Sequence, residues 1–407
     1  MNIVIVNDFA YVNGGAAKVA LGSAIALAKL GNSVTLFTAV GPVASDLADV
    51  SRLQTICLGQ REIVDNPRRL HACVQGLWNE LAAARIRDVV HSLDRNHTIV
   101  HVHGWTKALS STVVRAVIAL GFRVVITLHD YFTACPTGTF YDYSQHAICP
   151  LRPMSVKCIA RNCDSRNYGH KIWRVGRQWI QSRISSLPSG IYEYISISDL
   201  SERVLRPFLP ATARIRRVPN FIDVDMGPPV EVGINRLFAY SGRLSAEKGP
   251  MLLAECSRDS KIDTLFIGDG PLRAQVQDMS PYASCTGWLP PDQATTQLRR
   301  SRALVFPALC YEGQPLVVTE AAAMGIPAIV PDTCAAREQV ADGITGLWFR
   351  GGDLKDLNVK LNYLRENPSI ASAMGRKAYE RYWRSPATLD SHCRLLEQIY
   401  QTILEKP

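Results

Sequence analysis

Two glutamates, Glu312 and Glu320, stand eight positions apart in the segment CYEGQPLVVTE, which is otherwise uncharged. Glutamate is seldom buried without a partner. The preceding RALVFPA predicts a buried strand, and PLVVTEAAAMG predicts a helix that starts at Pro315 and ends near Gly325. The loop before this helix N-terminus would suit a diphosphate. The two carboxylates would then accept hydrogen bonds from sugar or ribose hydroxyls, or they are ordinary surface glutamates.

Two further groups of candidates also follow predicted strands. The loop SGRLSAEKG, at 241–249, contains Arg243 and Lys248, which suit a diphosphate or form only a solvated basic turn. In NGGAAKVA, Gly14 and Gly15 stand at the start of the first predicted helix, another junction of the phosphate-binding type. The sequence contains neither a G-x-G-x-x-G dinucleotide fingerprint nor a Walker A motif.

Apolar segments of strand length alternate with helical segments along the chain, which predicts an α/β protein with parallel sheets. A length of 407 residues favours two domains. We expect two doubly wound Rossmann-like domains, over 1–225 and 226–384, followed by a C-terminal helix over 385–407. The polar stretch 223–232, rich in Pro and Gly, predicts the linker. Ligands of open α/β sheets bind beyond the carboxyl ends of the strands, so the two domains would face each other across a cleft.

The positive charge is concentrated in the first half of the chain. Residues 1–225 contain 25 Lys and Arg against 16 Asp and Glu, which accounts for the whole net charge of +9. Within 151–190, eight basic residues accompany a single acid, Asp164. This excess indicates an anionic partner or a solvated basic face. No nucleic-acid-binding module is recognisable, so we expect no nucleic-acid partner.

The N-terminal MNIVIVNDF has the pattern of a strand rather than of a signal peptide, and no transmembrane helix is predicted. We expect a cytoplasmic protein whose 11 cysteines form no disulfide framework. Segment 170–187 combines Trp173 and Trp179 with four basic residues, as is typical of an interfacial membrane helix. Its apolar positions equally suit a stripe that faces the core. The first interpretation would bring the protein to the inner face of the membrane.

Four cysteines, with 13, 8 and 4 residues between them, fall in one segment: Cys135, Cys149, Cys158 and Cys163. They are candidate ligands of a structural zinc ion that would pin an insertion at about 133–165, or else buried thiols or a redox-labile pair. His101 and His103 alternate in IVHVHG and share one face of a strand. We expect His103 to line a cleft and His101 to be a satisfied histidine at the edge of the core.

In their order and spacing, these motifs resemble the retaining nucleotide-sugar glycosyltransferases of family 4, which have the two-domain GT-B fold. The resemblance covers nearly the whole chain. It is carried by YEGQPLVVTEAAAMGIPAIV with its E-x7-E element, by GRLSAEKG, GDGPL, GWLP and TLHD, and by the early GG. The loop reads EGQP where the family often has E-x-F-G, and Pro250 follows GRLSAEKG where a helix former is usual. Both departures leave the charged residues in place.

The resemblance implies roles for the charged candidates. Arg243 and Lys248 would hold the donor diphosphate and stabilise the leaving nucleotide. Glu312 would bind hydroxyls of the donor sugar, and Glu320 would bind the ribose. His129, at the end of TLHD, would contact the donor sugar and help to stabilise developing charge.

For the remaining candidates, the resemblance implies contacts through the backbone. Gly14 and Gly15 would let the first helix approach the donor phosphates, and backbone groups around Gly313, Gln314 and Leu316 would surround the donor. The N-terminal domain would be the acceptor side and the C-terminal domain the donor side, with the last helix crossing back to the first domain. No cofactor would be required for catalysis. D-x-D occurs once, at 223–225 in the predicted linker, and is not expected to bind metal.

The function implied is transfer of a sugar from a UDP- or GDP-sugar to a glycan or lipid-linked acceptor, in bacterial cell-surface polysaccharide synthesis. A non-catalytic nucleotide-sugar-binding protein with the same fold is the alternative. The joint presence of Glu312, Glu320, Arg243, Lys248 and His129 argues against lost activity.

Overall fold

A computed structural model describes residues 1–405 of the chain. The chain forms two compact units. The first comprises Met1–Gly138, Leu151–Phe221 and Thr388–Pro407, and the second comprises Thr139–Pro150 and Ile222–Ala387. The units therefore divide four residues before the boundary expected after residue 225, and part of the predicted insertion groups with the second unit.

The elements alternate between strands and helices, as predicted. The strands are β1 (Asn2–Phe9), β2 (Ser33–Val40), β3 (Leu53–Cys57), β4 (Thr98–Val102), β5 (Arg123–Leu128), β6 (Tyr141–Asp142), β7 (Ala147–Ile148), β8 (Glu193–Ser196), β9 (Ile215–Arg217), β10 (Leu237–Ser241), β11 (Thr264–Ile267), β12 (Ala283–Gly287), β13 (Ser301–Val305), β14 (Ala328–Pro331) and β15 (Gly346–Phe349). The α-helices are α1 (Gly15–Lys29), α2 (Arg69–Leu77), α3 (Glu80–His91), α4 (Thr112–Ala119), α5 (Val156–Ala160), α6 (Tyr168–Arg183), α7 (Asp199–Leu205), α8 (Pro250–Ser260), α9 (Arg273–Met279), α10 (Pro291–Leu298), α11 (Leu316–Ala323), α12 (Ala336–Gln339), α13 (Leu354–Glu366), α14 (Pro368–Arg384) and α15 (Leu389–Leu404).

The first unit is built on a seven-stranded parallel sheet in the order β3-β2-β1-β4-β5-β8-β9. Its central strands are apolar and buried on both faces because helices cover both sides of such a sheet. The strand order reverses between β1 and β4. Loops that leave the carboxyl ends of these two strands diverge there, which is where ligands of doubly wound sheets bind.

The C-terminal helix α15 belongs to the first unit, where it packs against α1, as the resemblance implied. Thr388 and Ser391 form a capping box at its start. Tyr400 on this helix is fully buried, and its hydroxyl lies 2.5 Å from Nδ1 of His101. The other ring nitrogen of His101 lies 2.7 Å from the Thr127 hydroxyl. Both nitrogens are thus satisfied, which confirms the prediction that His101 is a core histidine.

The second unit has a six-stranded parallel sheet in the order β12-β11-β10-β13-β14-β15, so its order reverses between β10 and β13. The antiparallel hairpin β6–β7 also belongs to this unit. Pro250 occupies the first position of α8, where the missing N–H is not needed. Residues 218–236, which include the predicted linker, form no helix or strand. Asp223 and Asp225 are exposed within this stretch.

Helix α6 overturns the prediction that the apolar positions of segment 170–187 face the core. Its buried residues are Lys171, Arg177, Gln178 and Gln181. Ile172 is 42% exposed and Trp179 is 53% exposed. The segment is helical, as predicted, but its polar face is the buried one because Arg177 and Gln181 donate hydrogen bonds to carbonyls of a neighbouring loop. None of the helices within residues 1–405 is long and apolar enough to cross a membrane.

Candidate functional site

The loop after β10 carries Arg243 and is held by backbone hydrogen bonds. Leu244 N donates to Asp269 O at 2.9 Å, which ties this loop to the glycine-rich loop after β11. The hydroxyl of the buried Tyr240 donates to the Arg243 carbonyl at 2.7 Å. The Arg243 side chain is exposed, and within residues 1–405 it has no hydrogen bond or ion pair. A fixed backbone therefore presents an uncompensated guanidinium to solvent.

Lys248 and Glu312 form an ion pair, although they are 64 positions apart in the sequence. The strand order explains this contact, because Lys248 follows β10 and Glu312 follows β13, the two strands at the reversal point. Burial alone would lower the pKa of Lys248, but the adjacent Glu312 carboxylate raises it above its ordinary value. Lys248 is therefore a permanent cation. The Cys310 thiol lies 3.4 Å from the same carboxylate, and burial raises the pKa of that thiol.

Helix α11 begins at Leu316, one residue later than predicted. Pro315 is its N-cap and has an extended conformation. Gly313 is buried and Gln314 half-buried, so the loop lies close against the sheet. Glu320 is half-buried within the helix. In this half of the site, neighbouring loops carry two cations, Arg243 and Lys248, and the carboxylate of Glu312. The eight-residue helix α11 begins just after Glu312 and adds the positive end of its dipole.

The hairpin β6–β7 is a feature that the sequence did not associate with this loop. Its Phe140 ring contacts the ring of Tyr311, which directly precedes Glu312, with centroids 6.3 Å apart. Tyr141 is fully buried, and burial raises the pKa of its hydroxyl, with the Cys310 side chain acting in the same direction. The only signal in the sequence was the aromatic run FYDY inside the cysteine-rich segment, which we interpreted as part of a zinc-pinned insertion.

In the first unit, His129 follows β5 and pairs with His103, which follows β4. Nδ1 of His103 lies 2.9 Å from Nε2 of His129, and one of the two nitrogens carries the shared proton. Burial lowers the pKa of His129 to about 3, and His392 acts in the same direction. Burial likewise holds the pKa of His103 well below its ordinary value. Both imidazoles are therefore neutral near pH 7, and His103 fixes the ring of His129.

The loop that follows His129 is held by the polar face of α6. Gln181 Nε2 donates to the Phe132 carbonyl at 2.8 Å, and Arg177 Nη2 donates to the Pro136 carbonyl at 3.4 Å. Burial raises the pKa of Asp130, next to His129, to about 6, although the Phe132 N–H and the Arg177 charge oppose this shift. These contacts explain why α6 buries polar side chains: an irregular loop leaves carbonyls that need donors.

Gly14 and Gly15 lie at the start of α1, as predicted. The backbone of Gly14 is extended, and a Cβ atom there would meet nothing within 4 Å. Protein packing therefore does not require glycine at this position. Both residues are exposed, so the first turn of a 15-residue helix is accessible.

The four cysteines proposed as zinc ligands do not form a metal site. Cys149 groups with the second unit, whereas Cys135, Cys158 and Cys163 group with the first. The fully buried ammonium of Lys171 donates to Cys163 Sγ at 3.2 Å and to Cys158 Sγ at 3.6 Å. Within residues 1–405, no group of three or more His, Cys, Asp or Glu side chains is arranged to hold a metal ion. The prediction required a zinc ion beside these cysteines, but the cation beside Cys158 and Cys163 is Lys171. The spacing of the cysteines could not reveal this.

Comparison with known proteins adds two family matches. Residues 13–226 match the profile described as Glycosyltransferase Family 4, and residues 229–381 match the profile described as Glycosyl transferases group 1. These two ranges meet close to the linker.

Three individual proteins illustrate the relationship. A GDP-mannose-dependent alpha-mannosyltransferase from Corynebacterium glutamicum is 32% identical over 124 residues, a match that covers 30% of this chain and 30% of that protein. Glycogen synthase from Mycobacterium tuberculosis is 26% identical over 326 residues, covering 70% and 73% of the two chains. The crystal structure of HepE from Anabaena in complex with UDP-glucose superposes with a TM-score of 0.67 at 13% identity, covering 99% of this chain and 100% of that one. At this identity the superposition establishes the fold alone.

Proposed function

The chain belongs to glycosyltransferase family 4, and from this premise we propose that it is a retaining hexosyltransferase that uses a nucleotide-sugar donor. The observation that carries the proposal is the arrangement of Arg243, Lys248 and Glu312 on the two loops at the reversal point of the second sheet. The acceptor would be a glycan or a lipid-linked saccharide, in the synthesis of a cell-surface polysaccharide.

The proposed chemistry depends on the charge of the leaving group. Glycosyl transfer from a nucleotide sugar releases a diphosphate, and the rate depends on how well that charge is stabilised in the transition state. Lys248 is cationic across the physiological pH range, and the Arg243 guanidinium is accessible. With the N-terminus of α11, they would neutralise the leaving diphosphate without a metal ion.

The remaining side chains would orient the donor. Glu312 would accept hydrogen bonds from sugar hydroxyls while its other oxygen stays near Lys248, and Glu320 would bind the ribose. Backbone groups of Gly313, Gln314 and Leu316 would surround the sugar. The accessible first turn of α1, at Gly14 and Gly15, would receive a phosphate.

His129 would contact the donor sugar as a neutral hydrogen-bonding group. Because its pKa lies near 3, it would not change its charge between pH 5 and pH 8. We therefore assign it to stabilisation of developing charge through a hydrogen bond, rather than to general acid catalysis. Same-face attack by the acceptor, assisted by the donor phosphate, would retain the anomeric configuration.

A panel of UDP-, GDP-, ADP- and dTDP-sugars, offered with and without EDTA, tests this proposal through donor binding and slow donor hydrolysis. The mannosyltransferase named above uses GDP-mannose and HepE was crystallised with UDP-glucose, which favours UDP- and GDP-sugars as the first donors. We expect one donor to be bound and hydrolysed in the presence of EDTA. Binding without turnover, even with acceptors supplied, would favour a non-catalytic binding protein. Absence of binding would overturn the proposal.

His103 would act through His129 as a positioning residue. We expect His103→Ala to lower donor turnover by about 10- to 100-fold, because a small displacement of a positioned group costs up to that factor. The donor KM should change little. His103→Asn, whose amide can donate in place of Nδ1, should restore part of the turnover. Loss of turnover in both variants together with a lowered melting temperature would indicate a purely structural role.

Peripheral membrane contact through α6 is part of the proposal. Ile172 and Trp179 are exposed on one face of this helix, and Arg183 lies one turn beyond Trp179. We expect Trp179→Ser to weaken co-sedimentation with vesicles that contain anionic phospholipid by about tenfold, or about 1.4 kcal/mol, because the binding strength of an interfacial helix scales with the apolar area that it buries. Trp288→Ser, which removes an exposed tryptophan of the second unit, is the matched control. Equal effects of the two substitutions would refute a specific contact through α6.

A further inference from the structure

A cavity of about 390 Å³ lies in the first unit, next to the loops that carry the paired histidines. Thr106 on its wall follows β4 three residues after His103, and Phe132 follows β5 three residues after His129. The other walls come from α2 and α6 and from the segments that precede these two helices. The volume is in the range of sites for small ligands. The cavity is therefore placed at the carboxyl edge of the first sheet, where a reacting group could enter.

The charge of this cavity is strongly positive. Five lining residues are basic, against a single acid, Glu62. The basic residues are Arg69, Lys107, Arg166, Arg174 and Arg177.

Two of these cations already have carboxylate partners. Lys107 Nζ lies 3.5 Å from Glu62, and Arg174 Nε lies 3.0 Å from Asp164. Arg69, Arg166 and Arg177 have no carboxylate within ion-pair distance among residues 1–405.

Among these three arginines, Arg177 gives the strongest indication that the cavity binds an anion. It is buried, and its guanidinium stacks between Phe132, at 4.8 Å from the ring centroid, and Trp173, at 5.3 Å. Its hydrogen bonds go to two neutral acceptors, the carbonyls of Thr106 and Pro136. Burial lowers the pKa of this guanidinium to about 9, and the charge of Arg174 adds to the effect. The carboxylates of Asp130, Asp8 and Asp164 oppose this shift, but among residues 1–405 none of them forms an ion pair with Arg177, so an anion in the cavity would give this buried cation a direct partner.

The two helices that line the cavity also carry exposed apolar side chains next to lining residues. Leu70 and Val74 of α2 are 85% and 62% exposed, and Ile172 of α6 is exposed beside the lining Trp173. Trp173 Nε1 donates to the Cys73 carbonyl, which joins the two helices at the cavity wall. A ligand with an anionic group inside and an apolar chain outside would match this combination of charge and surface.

We propose that this cavity binds the phosphate or diphosphate group of the acceptor, so that the enzyme selects a phosphorylated saccharide, carried on a lipid or free, over a neutral glycan. The proposal rests on the proposed transferase function and adds the chemical class of the acceptor. Arg69, Arg166 and Arg177 supply the charge, and the rings of Phe132 and Trp173 hold the buried guanidinium in place.

Binding to the full chain in the presence of saturating UDP or GDP, which occupies the donor side, tests this proposal. The probes are farnesyl diphosphate, inorganic pyrophosphate and farnesol at one salt concentration close to physiological. We expect the two diphosphates to bind and farnesol not to bind. Similar affinities for both diphosphates would assign recognition to the phosphate groups alone, whereas a clear preference for farnesyl diphosphate would assign it to a lipid-linked acceptor.

Charge variants decide whether the binding occurs in this cavity. Arg166 is exposed and its side chain makes no contact that the fold needs, so Arg166→Glu should fold normally and weaken diphosphate binding by about tenfold or more. Arg69→Gln should act in the same direction. Arg152→Glu removes an exposed arginine of the same basic region outside the cavity and should leave the affinity within about twofold.

Three results would overturn the inference: no binding of either diphosphate, binding of farnesol as tight as that of farnesyl diphosphate, or affinities unchanged by both Arg166→Glu and Arg69→Gln. Donor hydrolysis without acceptor, measured on the same preparations, separates this failure from failure of the proposed function. If hydrolysis persists while the diphosphates do not bind, only the acceptor class is wrong. If no nucleotide sugar is bound or hydrolysed, the transferase function itself fails.

Discussion

Lys248→Ala is expected to lower donor turnover by about 10²- to 10³-fold, because it removes a permanent cation from the place where the leaving diphosphate would develop its charge. Lys248 is half-buried, with 29% of its side chain exposed, so its charge is screened less by water than one on an open surface. Turnover of the chosen nucleotide sugar, measured at saturating donor, gives the effect on the chemical step. Lys355→Ala removes an exposed lysine of α13 in the same unit and should leave turnover unchanged.

A loss of activity in Lys248→Ala has a second explanation, since the substitution also leaves the Glu312 carboxylate without its partner. The double variant Lys248→Ala with Glu312→Gln removes that unpaired charge while it keeps the shape of the side chain. We expect the melting temperature to recover in the double variant and turnover to stay low. Recovery of turnover together with stability would show that Lys248 only neutralises Glu312 and does not act on the donor.

Gly249→Ala is expected to destabilise the second unit by about 3–5 kcal/mol, near the upper end of single-substitution effects. Gly249 has φ +66°, a left-handed conformation that costs a residue with a Cβ atom about 1 kcal/mol. The new Cβ would also lie 2.1 Å from the Pro307 carbonyl oxygen, an overlap that only a backbone shift can relieve. Pro307 follows β13 and Gly249 directly follows Lys248, so the shift would also disturb the Lys248–Glu312 pair and lower turnover.

Gly343→Ala is the matched control for this substitution. Gly343 has a nearly identical φ of +70°, but a Cβ atom there would meet nothing within 4 Å. Gly343→Ala should lower the free energy of unfolding only by the cost of placing a residue with a Cβ atom in the left-handed conformation, about 1 kcal/mol. The midpoints of urea unfolding for the two variants measure the difference directly. Equal midpoints would mean that the loop after β13 adjusts freely, and the expected disturbance of the Lys248–Glu312 pair would then be wrong.

The sequence predicted much of the fold because the central strands of both sheets are continuous apolar runs. NIVIVND and RALVFPA are examples, and both lie at the centre of a sheet. The helix after Gly14 and the C-terminal helix were also identified, since their periodicity and caps are local. Five strands, β3, β6, β7, β12 and β15, were not predicted because they are short or partly polar, and such strands carry little signal of their own.

The candidate residues of the second unit were found for a related reason. Arg243, Lys248 and Glu312 each follow a recognisable strand, and parallel strands end at one edge of a sheet. The pairing of Lys248 with Glu312 could not be predicted, because it depends on β10 and β13 being neighbours. Strand order is a property of the assembled sheet that no local pattern encodes.

By itself, the sequence determined the fold class, the family resemblance and the loops that carry the candidate charges. The tertiary structure alone decided which face of α6 is buried, where Lys171 contacts the cysteines, and which partners the two histidines have: Tyr400 for His101 and His129 for His103. In each case a polar side chain is held by specific partners outside its own turn of helix or strand: loop carbonyls for Arg177, two thiols for Lys171 and the Tyr400 hydroxyl for His101. Apolar burial follows local patterns, whereas the burial of a polar group depends on a specific partner, and only the folded chain supplies that partner.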